Sequence, residues 1–292
     1  MDPLIIGFGF GVGVLVGMTG VGGGSIMTPL LILIFGVKPV VAVGTDLAYA
    51  AVTKTLGGWR HLRSGGVDLP IAGWMAVGSV PGALGGVVVL EYLHSRLGND
   101  FDDTLILLVG AAVLLTGLMT LGRSLLTPNA AQRERETIRM VRKHKLAAIA
   151  LGLSVGFVLG VTSAGSGALI AVGLIMIFRL TPHRVVGTDV FHAAVLLWAA
   201  SFAHLVSGNI DYGLMGSLLL GSLPGVWIGS GLTTKVSGSM LRKVLGGVLV
   251  AAGIALLAKS GQIVPAVVSV ALVAAVVATI LFRRRPAVAD GS

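Results

Sequence analysis

Cysteine is absent from this 292-residue chain, which removes disulfides, thiolate metal sites and a cysteine nucleophile from consideration. The absence leaves the redox compartment undetermined. Charge is scarce: Asp, Glu, Lys and Arg supply 11% of residues, less than half the roughly 25% of a soluble domain. Acid is scarcer still, with 12 Asp and Glu against 21 Lys and Arg. That is too little polar surface to coat a water-soluble particle. A cytosolic globular enzyme, a disordered protein and a nucleic-acid binder are thereby excluded. The net charge of +9 reads either as attraction for anions or as the positive-inside bias of an inner-membrane protein. The first residues, MDPLIIGFGFG, have no basic n-region, and their apolar run continues into glycine, so no cleaved signal peptide is expected.

What the chain does have is apolar length. Hydrophobic residues make up 55%, mean hydropathy is +0.96, and 44 residues are glycine. Apolar runs extend over Leu4–Phe35, Val40–Leu56, Ile71–Leu93 and Thr104–Leu121, then over Leu146–Phe178, Val185–Phe202, Tyr212–Thr234, Leu241–Ala258 and Ile263–Phe282. Most match the roughly 17–25 residues a helix needs to cross a bilayer. In lipid they must be helices, because an open strand edge leaves backbone groups unpaired. Leu4–Phe35 and Leu146–Phe178 are too long for one span and too short for two. Each is interrupted by a glycine cluster, Gly17–Ser25 and Gly160–Gly167, and each reads as two half-helices meeting at a break.

The two halves are copies. At a fixed offset of 143 residues, Thr19 falls on Thr162, Gly22 on Gly165, Gly24 on Gly167, Val43–Asp46 on Val186–Asp189, His61 on His204 and Asp68 on Asp211. Between Gly17 and Asp68, 21 of 52 positions are identical to their counterparts, against roughly a tenth expected from composition. Such duplication is the mark of a secondary transporter built from two repeats. The basic segment Gln132–Lys145 belongs inside the cell by the positive-inside rule. If Leu146–Phe178 enters and returns on one side, nearly every basic loop falls inside and the repeats are inverted. The expected architecture is an all-α polytopic membrane protein. Residues 1–121 form a first repeat, 122–145 a basic cytoplasmic linker, 146–260 a second repeat, and 261–292 an extra C-terminal transmembrane helix and tail. Each repeat holds a broken, re-entrant helix pair and about three transmembrane helices.

Half-helices that start inside a membrane offer free N–H groups and a positive dipole end, which together hold anions. Gly20, Gly22, Gly23, Gly24, Gly165 and Gly167 let a ligand approach the backbone. Thr19, Ser25, Thr162, Ser163 and Ser166 add hydroxyl donors. The alternative role of glycine is helix packing. Packing is the assignment for Gly78, Gly82 and Gly86, for their copies Gly221, Gly225 and Gly229, and for Gly7, Gly9, Gly11 and Gly13. No Gly-Lys-Ser/Thr follows either cluster, so the chain alone does not use ATP.

Asp46 and Asp189 lie inside apolar runs, where an ionisable group is by default functional. Each follows a threonine, Thr45 or Thr188. They read as proton-coupling groups, as acceptors that order the breaks, or as helix-start carboxylates. Lys54, whose counterpart is Leu197, attracts the anion, pairs with a carboxylate or snorkels to the headgroups. His192, one turn beyond Asp189, shares a proton with it or is a core histidine. No set of His and carboxylates has metal-ligand spacing and no Ser/His/Asp set suggests hydrolysis, so neither a metal, a cofactor nor catalysis is expected.

The stretch GMTGVGGGSIMTP at Gly17–Pro29, the VGTDL at Val43–Leu47, and their copies at Gly160–Gly167 and Val186–Asp189 resemble the sulfite exporter TauE/SafE family of 4-toluene sulfonate uptake permease-like membrane transporters. The resemblance covers nearly the whole chain. It implies a bacterial or archaeal inner-membrane carrier of sulfur-containing anions such as sulfite, sulfonates or sulfoacetate. Its glycine motifs fall on Gly20, Gly22, Gly23, Gly24, Gly165 and Gly167. Ser166 stands where the first cluster has Gly23, so the half-sites differ.

The expected function is a multi-pass secondary transporter in the inner membrane, exporting sulfite or an organosulfonate bound at the two breaks. Its partners would be the small anion and the lipid bilayer, with a homo-oligomer left open. The alternatives are a proton-coupled importer using Asp46, Asp189 and His192, a cation or metal carrier, or a membrane-embedded enzyme or assembly factor without transport.

Overall fold

The computed structural model describes residues 2–19, 24–126, 140–232 and 238–261. The helices are α1 (Pro3–Thr19), α2 (Gly24–Ile34), α3 (Pro39–Arg63), α4 (Leu69–Leu97), α5 (Phe101–Leu126), α6 (Arg142–Thr162), α7 (Ser166–Gly173), α8 (Pro182–Val206), α9 (Tyr212–Leu232) and α10 (Gly238–Lys259). A π-helical turn, Leu174–Phe178, continues α7. The protein is all-helical among the described residues. Four helical stretches there are long and apolar enough to cross a membrane: Leu69–Gly122, which joins α4 and α5 through a short 3-10 turn, Arg142–Thr162, Pro182–Val206 and Tyr212–Gly231. The expected C-terminal helix and most of the expected linker lie outside the described residues; α5 runs to Leu126 and α6 starts at Arg142. Large apolar side chains such as Phe202, Val206 and Trp227 point outward, as a lipid-facing surface requires.

Helix starts are set by local chemistry. Prolines open α3 and α8, where the missing N–H costs nothing. Asp68 caps α4 by accepting from the Ile71 N–H at 3.1 Å, and Asp211 caps α9 by accepting from the Leu214 N–H at 2.9 Å. Each cap is also tied to the other half of the chain. The Asp68 N–H donates to the Thr188 hydroxyl at 2.9 Å, and the Asp211 N–H donates to the Thr45 hydroxyl at 3.0 Å. Replacing Asp68 with alanine is expected to cost about 1 kcal/mol of stability, checked by denaturant unfolding in detergent.

Glycines let the helices meet at backbone distance. A Cβ on Gly78, Gly82 or Gly86 of α4 would strike the carbonyls of Ile149, Leu153 or Phe157 on α6. On Gly221, Gly225 or Gly229 of α9 it would strike those of Ile6, Phe10 or Val14 on α1. The second trio of contacts is the first displaced by 143 residues. Gly9 and Gly13 face the Leu218 and Ser222 carbonyls of α9 in the same way, whereas Gly7 and Gly11 meet nothing within 4 Å among the described residues. Of the four amino-terminal glycines expected to pack, Gly9 and Gly13 do so against α9. The period that brings Gly9 and Gly13 to the α9 face turns Gly7 and Gly11 away from it.

The arrangement of α3 and α8 follows from their contacts. The start of α8 meets the chain just after α3: the Arg184 guanidinium donates to the Val67 carbonyl at 2.9 Å, and Gly187 abuts the Gly66 carbonyl. The start of α3 meets the chain just after α8, where Gly44 abuts the Asn209 carbonyl. Near the middle, the Trp198 indole N–H donates to the Thr55 hydroxyl at 2.9 Å. The two helices therefore run antiparallel. Thr55 and Trp198 are counterparts in the 143-residue offset, so they meet where the exchange closes on itself.

The short helix pairs fold back. Phe8 near the start of α1 stacks edge-on against Phe35 after α2, with centroids 5.0 Å apart. The second pair closes in a similar way: the His144 ring near the start of α6 and the Phe178 ring at the end of the π-helical turn lie 6.2 Å apart, and Leu151 packs against the cluster that holds Phe178. Each broken pair thus begins and ends at one level.

Candidate functional site

The second break is built from three residues between α6 and α7. Ser163 takes a left-handed conformation at φ 58°, and Gly165 another at φ 100°. The first ends α6 with its N–H on the Leu159 carbonyl at 2.8 Å, and the second starts α7, whose first intrahelical bond is Leu169 N–H to the Gly165 carbonyl. The amides of Ser166, Gly167 and Ala168 precede that bond and have no acceptor within the helix. The approach to this point is enclosed: Val161, Thr162, Ser163 and Ala164 are all buried. Thr162 donates to the Val158 carbonyl at 2.7 Å and accepts from the Ala164 N–H at 3.2 Å.

Elements of the first half close around this break. The Ser25 hydroxyl on α2 accepts from the Gly165 N–H at 3.3 Å. On α3, Asp46 is wholly buried, and its Oδ2 accepts from the Ser163 hydroxyl at 2.8 Å and the Thr28 hydroxyl at 2.6 Å. Its Oδ1 is buried with no hydrogen-bond partner. Of the residues expected from sequence, Ser25, Asp46, Ser163 and Gly165 are therefore brought together. Thr28 is a contributor that the sequence reading did not single out. The signal was present, since Thr28 follows Ser25 by three residues inside the quoted motif and so shares its helix face.

Other expected residues stand elsewhere. Thr19 ends α1 and Gly24 begins α2, while Gly20, Gly22 and Gly23 lie outside the described residues. Ser166 and Gly167, by contrast, lie at the second break itself, in the first turn of α7, where they supply backbone amides. The Thr45 and Thr188 hydroxyls bond the caps of α9 and α4 rather than the neighbouring carboxylates. Asp189 is buried in α8. His192, also buried, places Nε2 2.9 Å from the Ser79 hydroxyl. Lys54 is 7% exposed and its ammonium is buried inside the protein with no hydrogen-bond partner. It therefore does not snorkel. It lies within electrostatic reach of His192. Among the described residues no three His, Asp or Glu side chains gather to hold a metal ion.

Comparison with known proteins gives the same direction. The family model "Sulfite exporter TauE/SafE" matches residues 5–256. A Bacillus subtilis (strain 168) protein named "Probable membrane transporter protein YjnA" is 35% identical over 88% of this chain and its own full length. A second from that organism, "Probable membrane transporter protein YdhB", is 27% identical over 83% of this chain and 94% of its own. A Xylella fastidiosa (strain 9a5c) "Probable membrane transporter protein" is 27% identical over 87% of this chain and 95% of its own. No solved structure gives a significant match. A helical, lipid-facing chain with paired helix breaks, matched from residue 5 to residue 256 by one family model, is a membrane transporter and belongs to the sulfite exporter TauE/SafE family.

Proposed function

We propose that this protein carries a small sulfur-containing oxyanion, sulfite or an organosulfonate, outward across the inner membrane. The observation that carries the reading is the start of α7 inside the protein, next to Ser25 of the first break. Three amides and the positive end of a helix dipole converge there, and an anion is the complementary ligand. Lys54 adds a cationic group inside the protein for which the described residues provide no hydrogen-bond acceptor. In this reading the two halves are inverted repeats with re-entrant pairs, supported by the antiparallel α3 and α8 and by the fold-back of each broken pair. Access alternates as one repeat rocks against the other around the breaks. The membrane potential drives an anion outward with about 2.3 kcal/mol per charge per 100 mV, so export needs no other energy source.

The test is sulfite flux in proteoliposomes at fixed potential, with and without a pH gradient. Flux is expected to follow the potential and ignore the pH gradient. Flux driven by the pH gradient would instead assign proton coupling, and no flux of sulfite or any sulfonate would refute the reading. Gly165→Ala is expected to lower flux about ten-fold in folded protein. A Cβ there meets Leu169 at 2.9 Å and must adopt a backbone conformation that L side chains resist.

A further inference from the structure

Asp46 carries a second message. Both hydroxyl donors, Thr28 and Ser163, bond one carboxylate oxygen, and the other oxygen is left buried and bare. Among the described residues no Lys, Arg or His side chain bonds the carboxylate, so they give this wholly buried charge no counter-ion. A buried carboxylate must be neutralised by a proton or by a bound cation. A proton on Oδ1 would be a donor with no acceptor, and a proton on Oδ2 would displace one of the two hydroxyl donors there, each costly. A cation needs only oxygen lone pairs, and these are at hand. The Thr28 and Ser163 hydroxyls keep lone pairs after donating their protons, and the Ser25 hydroxyl lies one helix turn before Thr28. The C-terminal end of α6, negative by its dipole, stops at Thr162, immediately before Ser163. One carboxylate among neutral oxygens suits a monovalent ion, because divalent ions gather several carboxylates.

The duplication sharpens the case. The counterpart of Asp46 is Asp189, but the counterparts of Thr28, Ser25 and Ser163 are Ala171, Ala168 and Gly20, none of which carries a hydroxyl. The acid is present in both halves, while the hydroxyl set belongs to one.

We propose that Asp46, Thr28, Ser163 and Ser25 form a binding site for a monovalent alkali cation of sodium size, seated beside the second helix break. The ion neutralises Asp46 beside the start of α7, so no net negative charge is left buried at the break. This inference stands independently of the sulfur-anion reading, and its test contains no sulfur anion.

The experiment follows thermal unfolding of the full chain in detergent while sodium chloride replaces choline chloride at constant ionic strength and pH. A saturable rise of several degrees with sodium is expected. Asp46→Asn should abolish it. Because that variant could fail to fold, Thr28→Val and Ser163→Ala are measured as well, each expected to weaken apparent sodium affinity about ten-fold. The site is refuted if sodium and choline act alike, if melting responds to pH with no sodium dependence, or if the sodium effect survives in Thr28→Val and Ser163→Ala.

Discussion

Gly221→Leu is expected to abolish recovery of folded protein, while Gly85→Leu leaves it near the wild-type level. A Cβ at Gly221 would overlap the Ile6 carbonyl and crowd the Phe10 N–H. These are backbone atoms of α1, which cannot swing aside as a side-chain tip can. The helix axes would have to part along the whole face, breaking the contacts of Gly225 and Gly229 as well. Overpacking a core by a methylene costs about 1–3 kcal/mol, and forcing two backbones apart lies above that range. Gly78→Leu on α4, the counterpart of Gly221, should fail in the same way against Ile149. Gly85 is the control because it sits on α4 beside Gly86 but a Cβ there meets nothing within 4 Å among the described residues. The measurement is monodisperse yield in detergent with helical circular dichroism. Equal recovery of the Gly221→Leu and Gly85→Leu proteins would refute the account of helix contact.

That pair of variants also shows what the amino-acid pattern could reveal. Gly85 and Gly86 are adjacent and chemically identical, but the four-residue spacing of Gly78, Gly82 and Gly86 marks one helix stripe, so Gly86 was separable from Gly85 by period alone. For Gly7 through Gly13 the alternation is every second residue. No helix stripe has that spacing, so sequence could not say which two of the four would meet α9. The breaks were legible because glycine clusters interrupt runs of the wrong length for one or two spans. The role of Thr45 and Thr188 was not. Beside an aspartate in sequence, each hydroxyl points to a cap in the other half, a contact made only when α3 and α8 cross. Ser163 was named from its cluster, but its bond to Asp46 spans 117 residues and depends on the fold. Side-chain type and spacing carry the architecture; the pairing of the two halves around Asp46 is a property of the tertiary structure.

Replacing Lys54 with methionine is expected to move stability and transport in opposite directions. Lys54 is 7% exposed and its ammonium is buried without a hydrogen-bond partner, in a helix that packs against α8. Desolvating such a charge costs several kcal/mol, even after relaxation. Methionine has a similar length and flexibility and no charge to desolvate. The variant should therefore melt higher than the wild type. If the charge is instead held for an anion that arrives during transport, its loss removes that attraction. Sulfite flux should fall by ten-fold or more, equivalent to about 1.4 kcal/mol of binding per ten-fold step. Lys54→Arg keeps the charge and should retain part of the flux, although the guanidinium is broader and prefers planar, two-point contacts. Purely structural roles predict other patterns. A lysine that only packs would give unchanged flux in the methionine variant, and one that secures the fold would give lower melting with lower flux. Higher melting with lost flux is the outcome that assigns Lys54 to the anion, because a buried charge that weakens the resting protein gains its partner only when substrate is present.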